Sequence, residues 1–208
     1  CFPTRRSSDL IVGPDEYAGG IGDEGVANLR LFTAQDGEII TLNRASDFAI
    51  DKLGVGARNI LHGVPPRDFY GPGSILNVHI NSHHPLGYGT DGDTAVWFER
   101  GPAFAPSFLS ENEPAGVSIA SYPKGNPLMS GWLLGAELIE NQSALMDAPL
   151  GRGHVILFGF RPQYRGQSYG TYKIFFNALT YFEMEAARSR ETSLPHDSKV
   201  SLEKRLHS

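Results

Sequence analysis

Glu38-Ile39-Ile40-Thr41-Leu42-Asn43-Arg44-Ala45-Ser46 is the stretch that decides the fold. Its first five residues, aliphatic and β-branched at the centre, read as a short buried strand. Asn43-Arg44-Ala45 reads as a tight turn, and Ser46 as the N-cap of a helix from Asp47 to about Leu53 that Gly54 closes. Upstream, Asp23 can cap a helix with Val26, Leu29, Leu31 and Phe32 on its apolar face, stopped by Gly37. Gly19-Gly20-Ile21-Gly22 is a loop before it, and Leu10-Ile11-Val12-Gly13-Pro14-Asp15 reads as the end of a buried strand entering that loop. Strand, helix, strand, turn and helix at this spacing predict right-handed parallel crossovers in an open α/β sheet.

Further along, the pattern changes. Residues 56–73 are rich in Gly and Pro and irregular, and Ser74 to Asn81 alternates as a half-buried strand should. Strands are also expected at Thr94–Phe98, Val117–Tyr122 and Ser143–Ala148, with a helical turn near Leu133 to Ile139. This middle is a β-rich insertion in the α/β order. Gly151-Arg152-Gly153 is a turn into His154–Phe160, the most apolar strand and so the expected central one. Thr171 to about Ala187 is a long helix with Phe175, Phe176, Leu179 and Phe182 on one side. Residues 187–208 lose the apolar face and are expected to form a disordered tail.

Composition narrows the function classes. A net charge of −5 over 208 residues, with the basic residues scattered apart from a short group near the C-terminus, gives no polyanion-binding signal. No apolar run approaches the ~20 residues of a membrane span. With Cys1 the sole cysteine, neither an internal disulfide nor a cysteine metal site can form. The first Met is Met129, and residues 1–10 lack the apolar core of a signal peptide; they resemble a translated sequencing-adapter remnant. A fragment is therefore expected: a tail over 1–10 and an α/β domain over 11–186 that is incomplete at its N-terminus. An uncovered sheet edge and apolar face should follow, with poor solution behaviour of 11–186 alone.

Three stretches together carry a resemblance. They are Gly25–Arg30 with Ala45–Ile50, then Phe69–Leu76, and Gly159-Phe160-Arg161-Pro162-Gln163-Tyr164-Arg165-Gly166-Gln167, the last being the most specific. In this order they resemble the C-terminal region of bacterial zinc carboxypeptidase-like proteins of the M14 family, where a domain similar to class I glutamine amidotransferases follows the peptidase. The resemblance covers about Leu10 to Phe182. It implies a flavodoxin-like open sheet, truncated at its N-terminus, and a parent that hydrolyses peptide or amide bonds with zinc and is periplasmic or secreted. The zinc and the upstream peptidase domain, a partner in cis, would lie outside this chain; a homo-oligomer is a further expectation. The same fold also supports oligomers or ligand binding beside glycosidases, a rival reading by analogy.

Neither family's chemistry carries over. M14 zinc needs a His-x-x-Glu pair and a third His, and none of the seven histidines has Glu three residues on. An amidotransferase needs Cys at the strand-to-helix elbow and a later His-x-Glu; the elbow here is Asn43-Arg44-Ala45-Ser46, and His-x-Glu does not occur. No catalytic residue and no metal site is therefore expected. Ser46 is expected as a cap rather than a nucleophile, because Arg44 stands where an elbow wants a small residue. His79, His83 and His84 lack a carboxylate at ligand spacing, and Trp97, Trp132, Tyr164 and Tyr169 are too dispersed for a sugar-stacking surface. Gly19–Gly22 lacks the Lys-Ser/Thr of a phosphate loop. Ligands of open α/β sheets bind beyond the carboxyl ends of strands. Asn43, Arg44, Arg161, Gln163, Arg165 and Gln167 should gather there, either to clamp a carboxylate or to dock the upstream domain.

Overall fold

A computed structural model describes residues 20–108, 114–166 and 169–193, with backbone alone beyond residue 181. The expected strand at Leu10–Val12, Gly19, Gln167, the tail over 1–10 and residues 194–208 lie outside the described residues. Residues 187–193, expected as disordered tail, are helical instead, because Ala186, Ala187, Arg188 and Glu191 are good helix formers that extend the last helix.

The architecture is an open mixed α/β sheet. Helix α1 (Gly22–Ala34) leads into β1 (Glu38–Leu42), and α2 (Ala45–Phe48) continues with wider π-type turns over Ala49–Leu53. Gly54, at φ 67°, ends that helix as expected. Then come β2 (Ala57–Asn59), β3 (Ser74–Ile80), β4 (Asp93–Phe98), β5 (Phe104–Pro106), β6 (Val117–Ser121), β7 (Leu128–Ser130), β8 (Ser143–Leu150), β9 (Gly153–Phe158) and α3 (Tyr169–Ser193). The expected helical turn near Leu133–Ile139 is a 3-10 turn at Ala136–Leu138.

The sheet order is β1-β9-β8-β6-β3-β4, with β2, β5 and β7 attached beside it. Parallel pairing, expected as the rule, holds only between β1 and β9; the other pairs are antiparallel. The turn at Gly151-Arg152 is the physical reason at β8–β9, since so short a connection can only reverse the chain. One bridge, Trp97 to Arg161, ties β4 back to the segment after β9 without closing the sheet.

β9 is interior, flanked by β1 and β8, and buried on both faces. Its residues alternate: Val155 and Leu157 pack toward Ala49, Leu53 and Val55, while Ile156 and Phe158 join the larger core with Ile174 and Ala178 of α3. Burying each such side chain contributes on the order of 1.5–3 kcal/mol.

Two helix faces differ from expectation. In α1, Val26 and Leu29 pack inward with buried Thr33, but Leu31 and Phe32 are exposed. In α3, the buried side runs Thr171, Ile174, Ala178, Tyr181, while Phe176 and Leu179 face out. The spacing of three, four and three residues is the helical stripe; the aromatic bulk of the neighbouring positions concealed it. No helix among the described residues is long and apolar enough to cross a membrane.

Candidate functional site

The site grows from the elbow after β1. Leu42 pairs with Phe158, and the Asn43 N–H donates to the Phe158 carbonyl at 2.8 Å. The chain then turns sharply through Asn43 at φ 53°. Asn is one of the few residues with a side chain that visits this left-handed region readily. Its amide is buried, Nδ2 donating to the Glu99 carbonyl at 3.2 Å. Gly101 lies against it; a Cβ there would fall 2.0 Å from the Gly159 carbonyl oxygen and 2.6 Å from Asn43 Oδ1. The β1 elbow, the loop after β4 and the end of β9 are thus locked together by backbone contact that only Gly permits.

Ser46 is not the N-cap. Arg44 holds that place, and Ser46 sits within the helix, fully buried. Its hydroxyl donates to the Phe158 carbonyl at 3.1 Å and lies 2.9 Å from Thr41 Oγ1. Bonded to two oxygens and shut from solvent, it is a structural tie between β1, α2 and β9.

Beside the elbow opens a cleft of about 610 Å³. Arg44 and Asp47 line it from the elbow helix, Leu61, Phe69 and Tyr70 from the irregular stretch, and Arg100 from the loop after β4. Asn59 Nδ2 donates to Asp47 Oδ1 at 2.7 Å. Arg100 adopts φ 49°, held by its N–H donating to the Gly71 carbonyl at 2.9 Å. Its guanidinium carbon lies 6.0 Å from the Tyr70 ring centre.

The other expected site residues gather at a separate place. Arg161 pairs with Glu99 at 3.2 Å, an ion pair whose geometry is too poor for a hydrogen bond. Tyr164 stacks on Trp97 with centroids 5.3 Å apart, and the guanidiniums of Arg161 and Arg165 lie 5.2 and 5.5 Å from the Tyr164 ring centre. Gln163 is exposed. The six-residue cluster read from the sequence therefore divides. Arg44 faces the cleft, Arg161 and Arg165 flank an aromatic stack, and Glu99 links the two through its carbonyl to Asn43 and its carboxylate to Arg161.

The histidines separate too. His79 pairs with Asp93 at the surface, His83 is exposed, and His84 turns toward Asp147, which also contacts His154 at 2.8 Å and accepts from the Tyr181 hydroxyl at 3.0 Å. Of the dispersed aromatics, Trp97 and Tyr164 meet; Trp132 sits edge-on to Tyr70, and Tyr169 to Tyr172.

Arg100 and Asp47 escaped the sequence reading. Arg100-Gly101-Pro102 is recognisable as a turn following a strand, but no periodicity says that this turn meets the elbow.

No family model matches the chain, and no curated protein matches it in sequence. Among solved structures it is similar to a protein described as a GMP synthase subunit from Thermoplasma acidophilum, at 11% identity over 80% of this chain and 68% of that one, with a TM-score of 0.47. It is similar as well to a protein described as ThuA-like from Bacteroides uniformis, at 11% identity over 76% of this chain and 63% of that one, with a TM-score of 0.45.

Proposed function

We propose that this chain is a noncatalytic, class I glutamine amidotransferase-like accessory domain of an M14 zinc carboxypeptidase-like protein. One observation carries the noncatalytic part. The elbow, where acyl transfer from glutamine needs a thiolate with a histidine in reach, holds the buried amide of Asn43. The nearby hydroxyl of Ser46 is consumed by Thr41 and Phe158. Among the described residues no group of His, Cys, Asp and Glu is arranged to hold zinc. His79 is turned to Asp93, and His84 Nδ1 accepts from the Leu86 N–H. Zinc and its general base would lie on a preceding peptidase domain. The parent is proposed from the resemblance of Gly159–Gln167 and the two weaker stretches. In this reading the Arg161–Arg165 edge docks that domain.

The test is the genomic sequence upstream of the Leu10 codon. An in-frame peptidase domain carrying His-x-x-Glu is expected. A start codon just upstream, or an in-frame glycosidase, overturns the parentage. Labelling the full chain with a fluorophosphonate probe checks the noncatalytic part: no adduct on Ser46 is expected. In the parent, Arg161→Ala with Arg165→Ala should lower stability or raise KM; neither change would remove the docking role.

A further inference from the structure

We propose that the cleft beside the elbow binds a small molecule bearing one carboxylate and an apolar group, with Arg44 and Arg100 as its anion clamp. This inference concerns the chain itself and does not depend on what precedes it.

Three observations carry it. First, the cleft holds uncompensated charge. Among the described residues neither Arg44 nor Arg100 has an ion-pair partner, although both line one hollow of about 610 Å³. The single carboxylate lining it, Asp47, is engaged by the Asn59 amide rather than by a guanidinium. Two guanidiniums against one carboxylate leave one net positive charge, which a monoanion matches.

Second, Arg100 is held in place by its backbone. A left-handed φ at a residue with a long side chain is strained and persists only where the surroundings impose it. Here the hydrogen bond to Gly71 and the packing of Gly101 on Asn43 and Gly159 impose it. The guanidinium lies over the Tyr70 ring, and Arg100 lines the cleft with its planar fork available for bidentate contact.

Third, one stretch of the cleft wall is apolar. Leu61, Phe69 and Tyr70 are half-buried and line the cleft, so a ligand with a hydrocarbon or aromatic body gains area there while its carboxylate meets the arginines. Inorganic phosphate satisfies the guanidiniums but leaves this wall wet.

The test titrates the full chain calorimetrically with N-acetyl-L-phenylalanine, its neutral amide N-acetyl-L-phenylalaninamide, and inorganic phosphate. The acid should bind at least roughly tenfold more tightly than the amide, in line with the worth of charge-assisted hydrogen bonds. Arg44→Gln should weaken acid binding by about the same factor, with the melting temperature unchanged because Arg44 is exposed. Arg100→Lys keeps the charge but loses the fork and should weaken it too. Arg152→Gln, whose guanidinium pairs with Asp36, is the control and should bind as the parent chain does. Equal binding of acid and amide, no binding of either, wild-type affinity in Arg44→Gln, or phosphate binding more tightly than the acid would each overturn the proposal.

Discussion

At the scale of single residues, Tyr122 shows how burial alone sets a property. It stands at the end of β6, edge-on to Phe98, and its hydroxyl has no hydrogen-bond partner among the described residues. Burial pushes the phenol far above its usual range, because the phenolate loses its hydration and gains nothing in exchange. In the unfolded chain the same group ionises at about 10. The folded form thus keeps the proton that the unfolded form releases. Its contribution to stability is complete below pH ~10 and is lost as pH rises beyond it. Tyr122→Phe should remove this loss and, by deleting an unsatisfied polar group, leave the protein as stable or up to about 1 kcal/mol more stable near neutrality. Urea unfolding from pH 8 to 11.5 checks both points. Parallel curves for the two proteins above pH 10 would show that the phenol is not shut from water.

Between elements, contacts are set by backbone approach as much as by side chains, and Gly159 is one such case. A Cβ there would lie 2.4 Å from the Pro102 carbonyl oxygen and 3.0 Å from that of Ala144. Both obstacles are backbone, so a strand must move. Gly159→Ala is expected to cost roughly 1–3 kcal/mol or more, measured as a lower urea midpoint. At Gly170, inside the first turn of α3, the nearest atom is Thr94 Cγ2 at 3.5 Å, an ordinary contact. Gly170→Ala should be neutral or gain up to about 1 kcal/mol from helix propensity. The contrast also marks the limit of sequence reading. Strand β3 announces itself by alternation, β1 and β9 by their apolar runs, and the elbow by its turn residues. Strands β2, β5 and β7 have three residues each, too short to display a period of two. The arginines were visible as a group along the chain, but where a guanidinium points depends on which aromatic ring or carboxylate meets it. That is why Arg161 ends on Glu99 and Tyr164 while Arg44 faces the cleft.

Over the whole molecule, the unresolved tension is between a well-packed sheet and what lies at its β1 end. β1 hydrogen-bonds to β9, and among the described residues no strand pairs with its other edge. Above and below that edge, Phe32 of α1 and Phe176 and Leu179 of α3 stand more than half exposed, around a hollow of about 450 Å³ whose lining includes Phe32, Ile40 and Leu179. An unpaired strand edge between two exposed apolar patches is a template for association. The full chain is therefore expected to self-associate at micromolar concentration, and the cause can be separated from poor folding. Phe32→Lys with Leu179→Glu places charge on both sides of the edge at positions whose exposure leaves the core untouched. The pair should raise the monomer fraction seen by light scattering after size exclusion while shifting the melting temperature by no more than a few degrees, as surface substitutions usually do. If the wild-type chain runs as a monomer with a sharp, reversible transition, the edge is covered in solution and the exposed patch does not govern its behaviour. If both proteins associate alike, association starts elsewhere, and exposed Phe108 becomes the next position to charge.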